Sequence, residues 1–260
     1  EEEVMLSGFA NAQVKAEGSG VSFDEAQETF TARYTHETVA LAFAITEEAI
    51  EDNLYDRLAS RYTKALARSM SNAKQVKAVE PLIQGLPSTD GFDSGDGVSL
   101  FNTAHTTVSG TNVKNTLTTQ ADLNETSLEQ SLIDIAAMTD ERGLKIAAQG
   151  TKLIIPSALQ FTAERLMKSS QRVGTADNDI NAVVSKGMVP QGYVVNHYLT
   201  DTDAFFIKTD VPNGLKHFVR APMKTAMEGD FTTGNVRYKA RERYSFGFSD
   251  WRGIFGSPGA

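Results

Sequence analysis

A chain of 260 residues is long enough for one large domain or two smaller ones. With 40% hydrophobic and 22% charged residues it has the composition of a folded protein, and no apolar run approaches the roughly 18 residues a membrane span needs. Zero Cys excludes disulfides and thiolate metal sites, and a net charge of -8 argues against a dedicated nucleic-acid reader. The start at Glu1-Glu2-Glu3, with no initiator Met and no signal-peptide pattern, is expected to be a processing point or a fragment boundary.

Residues 4–45 predict two extended segments around a flexible turn at Glu17-Gly18-Ser19-Gly20. On the return segment Phe30, Ala32, Tyr34 and His36 alternate with Thr31, Arg33, Thr35 and Glu37. Val39, Leu41, Phe43 and Ile45 then alternate with alanines. This reads as one long hairpin, apolar at its base. A ribbon with small and polar side chains on both faces holds no core and is marginal alone, so it is expected to rest on another subunit.

Thr46-Glu47-Glu48 opens a helical stretch, and Leu54–Glu80 runs without Gly or Pro until Pro81 is expected to stop it. Ile50, Leu54, Leu58, Tyr62, Ala65, Leu66, Met70, Ala73 and Val76 recur at three- and four-residue steps, with Arg57, Arg61, Lys64 and Arg68 on a second stripe. That pattern predicts an amphipathic helix, about 40 Å long at ~1.5 Å per residue. Acids at its start (Glu47, Glu48, Glu51, Asp52) and later bases (Lys64, Arg68, Lys74, Lys77) complement the helix dipole. Residues 85–98, rich in Gly and Asp, break every periodicity and predict a loop and a domain crossover.

A mixed α+β or α/β unit follows. Thr126-Ser127-Leu128-Glu129 has capping-box form ahead of Leu132, Ile135, Ala136 and Met138, and Gly143 sits where that helix would end. Lys152–Ile155 predicts a short buried strand closed by Pro156, and Ser157 with Gln160 starts a helix carrying Leu159, Ala163, Leu166 and Met167. After a polar loop at 171–179, a hairpin of strands 193–199 and 204–208 is expected. Strands at 215–220, 225–230 and 236–248 come next, the last pair joined around Thr233-Gly234-Asn235.

No nucleophile elbow, phosphate loop or pair of histidines at metal-ligand spacing occurs; His36, His105, His197 and His217 are scattered and read as strand or loop residues. Asp90, Asp93 and Asp96 among glycines invite a calcium reading, but the spacing is not that of an EF-hand, and a solvated acidic loop accounts for them. Gly18 and Gly20 lack the flanking strand and helix of a dinucleotide site. No catalytic residue, cofactor or metal is therefore expected. Strand alternation puts Arg237, Lys239, Arg241 and Arg243 on one face and Tyr238, Ala240, Tyr244 and Phe246 on the other. A solvated sheet face or subunit contact is favoured over a nucleic-acid patch, with Glu242 counting against DNA.

The order of a projecting hairpin, a long helix, a crossover, a mixed unit and a terminal sheet resembles the Hong Kong 97-type capsid fold. Several stretches also resemble tailed-phage major capsid proteins related to the Mu-like major head subunits. They are YTHETV (34–39), IEDNLY (50–55), LFNTAH (100–105), GTADNDI (174–180), VVNHYLTDTD (194–203), YKARERYSFG (238–247) and DWRG (250–253). The similarity runs along nearly the whole chain.

The resemblance implies an α+β fold with an E-loop hairpin (1–45), a peripheral domain with spine helix and crossover loop (46–98), an axial domain (99–214) and a peripheral terminal sheet (215–260). It implies a non-enzymatic subunit that forms pentamers and hexamers of an icosahedral capsid around double-stranded DNA, assembled in the host cytoplasm and located in the virion. Its implied partners are itself, portal, scaffold or protease, decoration proteins and, nonspecifically, packaged DNA, without cofactor or membrane. Family members usually carry an amino-terminal arm before the E-loop, whereas this sequence begins almost at the hairpin; no motif for Lys-to-Asn crosslinks is matched, and none is expected. Phe9, Phe23, Phe30, Arg33, Tyr34, Glu37, Arg241 and Arg243 are the expected intersubunit contacts, with Arg33 and Glu37 as ion-pair partners across subunits. The alternatives are an encapsulin-like nanocompartment shell and a cytoplasmic hydrolase or ligand-binding protein.

Overall fold

The computed structural model describes residues 1–52, 55–86, 93–172 and 179–260. Leu54, Pro87, Ser88, Asp90 and residues 174–178 lie outside the described residues, as do the side chains of Arg57 and Leu58. In chain order the elements are β1 (Glu2–Leu6), β2 (Glu28–Arg33), β3 (Glu37–Ile45), α1 (Glu47–Glu51) and α2 (Tyr55–Gln84). Then come β4 (His105–Thr106), β5 (Asn112–Val113), α3 (Glu125–Ala137), β6 (Gly150–Ile155), α4 (Gln160–Lys168) and α5 (Ala182–Ser185). The chain closes with β7 (Tyr193–Val195), β8 (Phe205–Thr209), β9 (Leu215–Gly229), β10 (Val236–Phe248) and β11 (Ile254–Ser257). Two compact units result: a first made of Glu1, Tyr34–Val79 and His217–Gly247, and a second made of Glu2–Arg33, Glu80–Lys216 and Phe248–Ala260.

The first unit is a sheet of order β3-β10-β9 against α2. β10 runs antiparallel to β3 with Tyr238 opposite Phe43, Ala240 opposite Leu41 and Glu242 opposite Val39. This register gathers Val39, Phe43 and Ala240 on the face that meets Leu66 and Met70 of α2. Phe43 lies between Tyr238, stacked at 5.0 Å, and Tyr62, edge-on at 5.6 Å. The apolar stripe predicted for the helix is covered only in part: Leu66 and Met70 are buried, whereas Tyr62 and Val76 stay 45% and 44% exposed. Lys74 donates to the buried Glu242 at 3.2 Å and lies over the Tyr244 ring, so this carboxylate sits on the inner face with a cation of its own.

Two expected boundaries are displaced. α2 continues through Pro81 to Gln84, because a proline near the end removes a single i→i−4 bond. Burial of Pro81 and Leu82, with Gly85 donating to the Pro81 carbonyl at 3.2 Å, holds the extra turn. The strands expected at 215–220 and 225–230 are one strand, β9, running through Pro222. β9 is an edge strand, where a missing N–H need cost no ladder bond.

The second unit is built on a sheet of order β11-β8-β6-β7, with β6 and β7 parallel and β8 antiparallel to both β6 and β11. Phe205, Phe206 and Ile207 of β8 are all fully buried, so both faces of this strand are covered and its sequence is continuously apolar rather than alternating. α3 packs on β6 at Gly150, where an added Cβ would fall 2.8 Å from Leu132 Cδ2. The hairpin expected from 193–199 and 204–208 does not form: β7 and β8 flank β6 on opposite sides, and Asp201 instead closes a local turn by accepting from Asp203 and Ala204 N–H. β11, expected with the terminal sheet, joins β8 here.

The α3 cap lies two residues ahead of the predicted Thr126. Asn124 accepts the Ser127 N–H at 2.8 Å while the Ser127 hydroxyl accepts the Asn124 N–H at 2.9 Å. α3 ends at Ala137 with Met138 as its cap, and Gly143, with φ 83, lies in a later turn closed by Asp140. The expected hairpin of residues 4–45 is two pairings. β1 pairs antiparallel with β2, residues 7–27 form no strand, and β3 pairs with β10.

Candidate functional site

The segment 7–27 is tied at its root and uncovered beyond it. Ser7 N–H donates to the Gln27 carbonyl at 2.8 Å, Ala10 N–H to Asp24 at 2.7 Å, and Arg142 to the Glu25 carbonyl at 2.7 Å. The Ala10 N–H holds the Asp24 carboxyl below its usual range. Phe9 is 59% exposed and Phe23 97% exposed, and Val14 and Val21 also stand in solvent. These large apolar side chains stand on an arm that has no core of its own.

The other predicted contact residues divide between surface and interior. Phe30 is half-buried with its Cβ against Gly95. Arg33 donates to Glu2 at 2.7 Å, and Glu37 pairs with Lys77 of α2, so both expected cross-subunit ions have partners within the chain. Tyr34 is only 6% exposed: its ring lies 4.7 Å from that of Phe218, and a Cβ on Gly247 would fall 2.7 Å from it. Packing inside its own unit removes Tyr34 from the outer surface.

Arg241 and Arg243 are exposed, on the sheet face opposite α2. β9 can be placed by parity, because Phe218 shares the Tyr34 side with Gly247 while His217 stacks on Phe246 at 4.4 Å on the α2 side. Arg220 and Lys224 then stand on the face of Lys239, Arg241 and Arg243, beside Ala40 and Ala42, which pair with Arg241 and Lys239. Among the described residues none of these five cations is in an ion pair; Arg237 pairs with Asp230. Backbone donation from Thr232, then the Thr233 hydroxyl and Arg237, holds the Asp230 carboxyl low. The predicted split of residues 237–246 between two faces is the observed one, with Glu242 buried.

A polar cluster in the core of the second unit was not foreseen. Arg252, 2% exposed, donates to the Thr139 carbonyl at 2.8 Å, to Glu141 at 2.6 Å and to Asp250 at 3.3 Å. Burial pushes the Asp250 carboxyl up while Arg252 draws it back. The guanidinium lies 4.1 Å from the Trp251 ring, and the Trp251 and His105 rings stack at 4.0 Å. His105 Nδ1 is 2.7 Å from Asp96, and Nε2 is 3.1 Å from both the Leu100 carbonyl and Asn115 Oδ1. Asn115 donates in turn to the carbonyls of Leu100, Trp251 and Ile254. Asp96, expected in a solvated loop, is thus buried as the partner of His105. The only signal for the cluster was that LFNTAH and DWRG, which supply His105, Trp251 and Arg252, carry the family resemblance.

This cluster joins three distant stretches of backbone through its hydrogen bonds and ion pairs. Among the described residues no three His, Asp or Glu side chains converge as a metal ion requires, and no helix is long and apolar enough to cross a membrane.

A family model described as phage capsid protein matches residues 28–256. No curated protein matches the sequence. Among solved structures, the capsid of Myoviridae phage XM1 aligns with a TM-score of 0.58 at 12% identity, over 100% of this chain and 85% of that one. A structure from Mycobacterium phage Che8 aligns at 0.56 and 15% identity, over 100% and 85%. The capsid of an empty GTA particle aligns at 0.53 and 11%, over 98% and 84%. These likenesses carry the Hong Kong 97-type α+β fold, and the family match covers most of the chain. The chain belongs to the phage capsid protein family, whose members are structural shell subunits and not enzymes.

Proposed function

We propose that the chain assembles into pentamers and hexamers that close into an icosahedral shell around double-stranded DNA. The supporting observation is the uncovered segment 7–27: in a capsid-family chain, an arm that leaves Phe9 and Phe23 in solvent is built to lie on a neighbouring subunit. Residues 99–214 would line the capsomer axis, with the α2 spine and the β3-β10-β9 sheet as peripheral framework. Assembly in the host cytoplasm, with portal, scaffold or protease, decoration proteins and loosely held DNA as partners, follows from the same reading.

The test is a deletion. Tyr34 belongs to the core, so the cut must spare it: replacing residues 9–26 by a short Gly-Ser turn is expected to leave a folded, soluble subunit that builds no stable shells. Normal particle yield from that variant would overturn the reading. Native particles holding protein cargo and no DNA would redirect it to a nanocompartment.

A further inference from the structure

We infer that the face of α2 turned away from the sheet binds the phosphate backbone of duplex DNA without reading its sequence, an inference that rests on the shell reading above, which supplies the duplex. Between Asp56 and Glu80 the sequence of α2 contains no carboxylate, in a chain whose net charge is -8. Lys74 and Lys77 turn toward the sheet and pair with Glu242 and Glu37. At 3.6 residues per turn, Arg61, Lys64 and Arg68 stand opposite the Leu66 and Met70 face; all three are exposed and, among the described residues, in no ion pair. Opposite charges three and four residues apart stabilise a solvated helix face, whereas Arg61, Lys64 and Arg68 set like charges at those spacings and weaken it. A polyanion lying along the stripe removes that repulsion.

Spacing and chemistry favour a nucleic acid over a polypeptide. From Arg61 to Arg68 the stripe covers about 10 Å at ~1.5 Å per residue, the axial length of about three phosphates on one strand at ~3.4 Å each. It continues as Ser71, Asn72 and Gln75, exposed side chains of the kinds that donate to phosphate oxygens beside Arg and Lys. No large apolar side chain stands among these six, so the stripe lacks the apolar or aromatic centre on which a protein partner would seat. Contacts to phosphate carry no sequence information and weaken steeply with salt. Three contacts suffice where every subunit of a shell repeats them, because many weak sites act on one long duplex at once.

R61Q/K64Q/R68Q tests the site against K145Q/K186Q/K208Q, which removes three exposed cations from the second unit. Circular dichroism first verifies a folded chain in both. Fluorescence anisotropy with short duplexes of random sequence, titrated between about 50 and 200 mM salt, is expected to show wild-type binding that ignores sequence. R61Q/K64Q/R68Q is expected to bind at least about tenfold more weakly, with a salt slope reduced by about 2–3, and the control to stay within about twofold of wild type. Equal losses in both variants, or wild-type affinity and slope in R61Q/K64Q/R68Q, would overturn the inference; tighter capture of poly-glutamate than of duplex would assign the stripe to an acidic protein instead. The cysteine-free chain permits a second readout, in which a photoactivated crosslinker on K64C is expected to attach to the DNA inside filled particles. Stripe-dependent binding by a chain that never closes shells would sink the shell reading alone, and closed, DNA-filled shells without that crosslink would sink this inference alone.

Discussion

Arg252 is the residue on which the second unit's interior depends most. Its guanidinium answers Glu141 and Asp250 where neither carboxylate reaches much water. Arg252→Met removes the cation and leaves both acids uncompensated, an expected loss of about 3–5 kcal/mol in chemical denaturation. A loss below about 1 kcal/mol would show that the cluster is not an anchor. The cluster was illegible because hydrogen-bonded partners within it lie as many as 139 positions apart, and nothing local marks Asp96 as inward-facing. His217 supplies a pH test. Burial, then Lys74, holds its pKa below the usual 6.5, with Glu242 opposing and Tyr244 and Phe246 packed beside it. As pH falls below 6.5 the unfolded chain takes up a proton that the folded state resists, so stability declines until the folded value is reached. His217→Phe keeps the stacking and is expected to flatten that decline in melts recorded across the interval; an unchanged slope would refute the assignment.

The elements were legible where the signal is periodic and local. The long α2, the β10 alternation and the β6 strand all follow from side-chain spacing. Strand neighbours did not, because β6, β7 and β8 are arranged by which surfaces they bury, and no local spacing records that order. Pro81 misled for a related reason: it is tolerated by position, in a last turn, as Pro222 is in an edge strand. α2 also separates stability from assembly. Leu66→Ala is expected to cost about 2–4 kcal/mol of subunit stability, since it opens the Met70 and Ala240 core. The exposed Val76→Ala is expected to change it by less than about 0.5 kcal/mol. Equal effects in urea titrations would contradict the burial pattern.

The molecule carries an uncovered arm, a half-covered spine helix and a row of cations that form no ion pair among the described residues. Its exposed surfaces are many and individually modest, which suits a closed assembly in which each subunit engages several neighbours at once. Two of the expected contact residues on the arm, Phe9 and Phe23, stand out in solvent, while Tyr34 turned inward because alternation alone does not tell a buried face from an outward one. The shell itself came from resemblance and not from pattern, since no periodicity encodes a neighbour. Cryo-electron microscopy of the purified chain tests this most directly: closed icosahedral shells, with density for residues 9–28 resting on an adjacent subunit, are expected. A monomer at every concentration, or shells in which that segment folds back on its own subunit, would contradict the account.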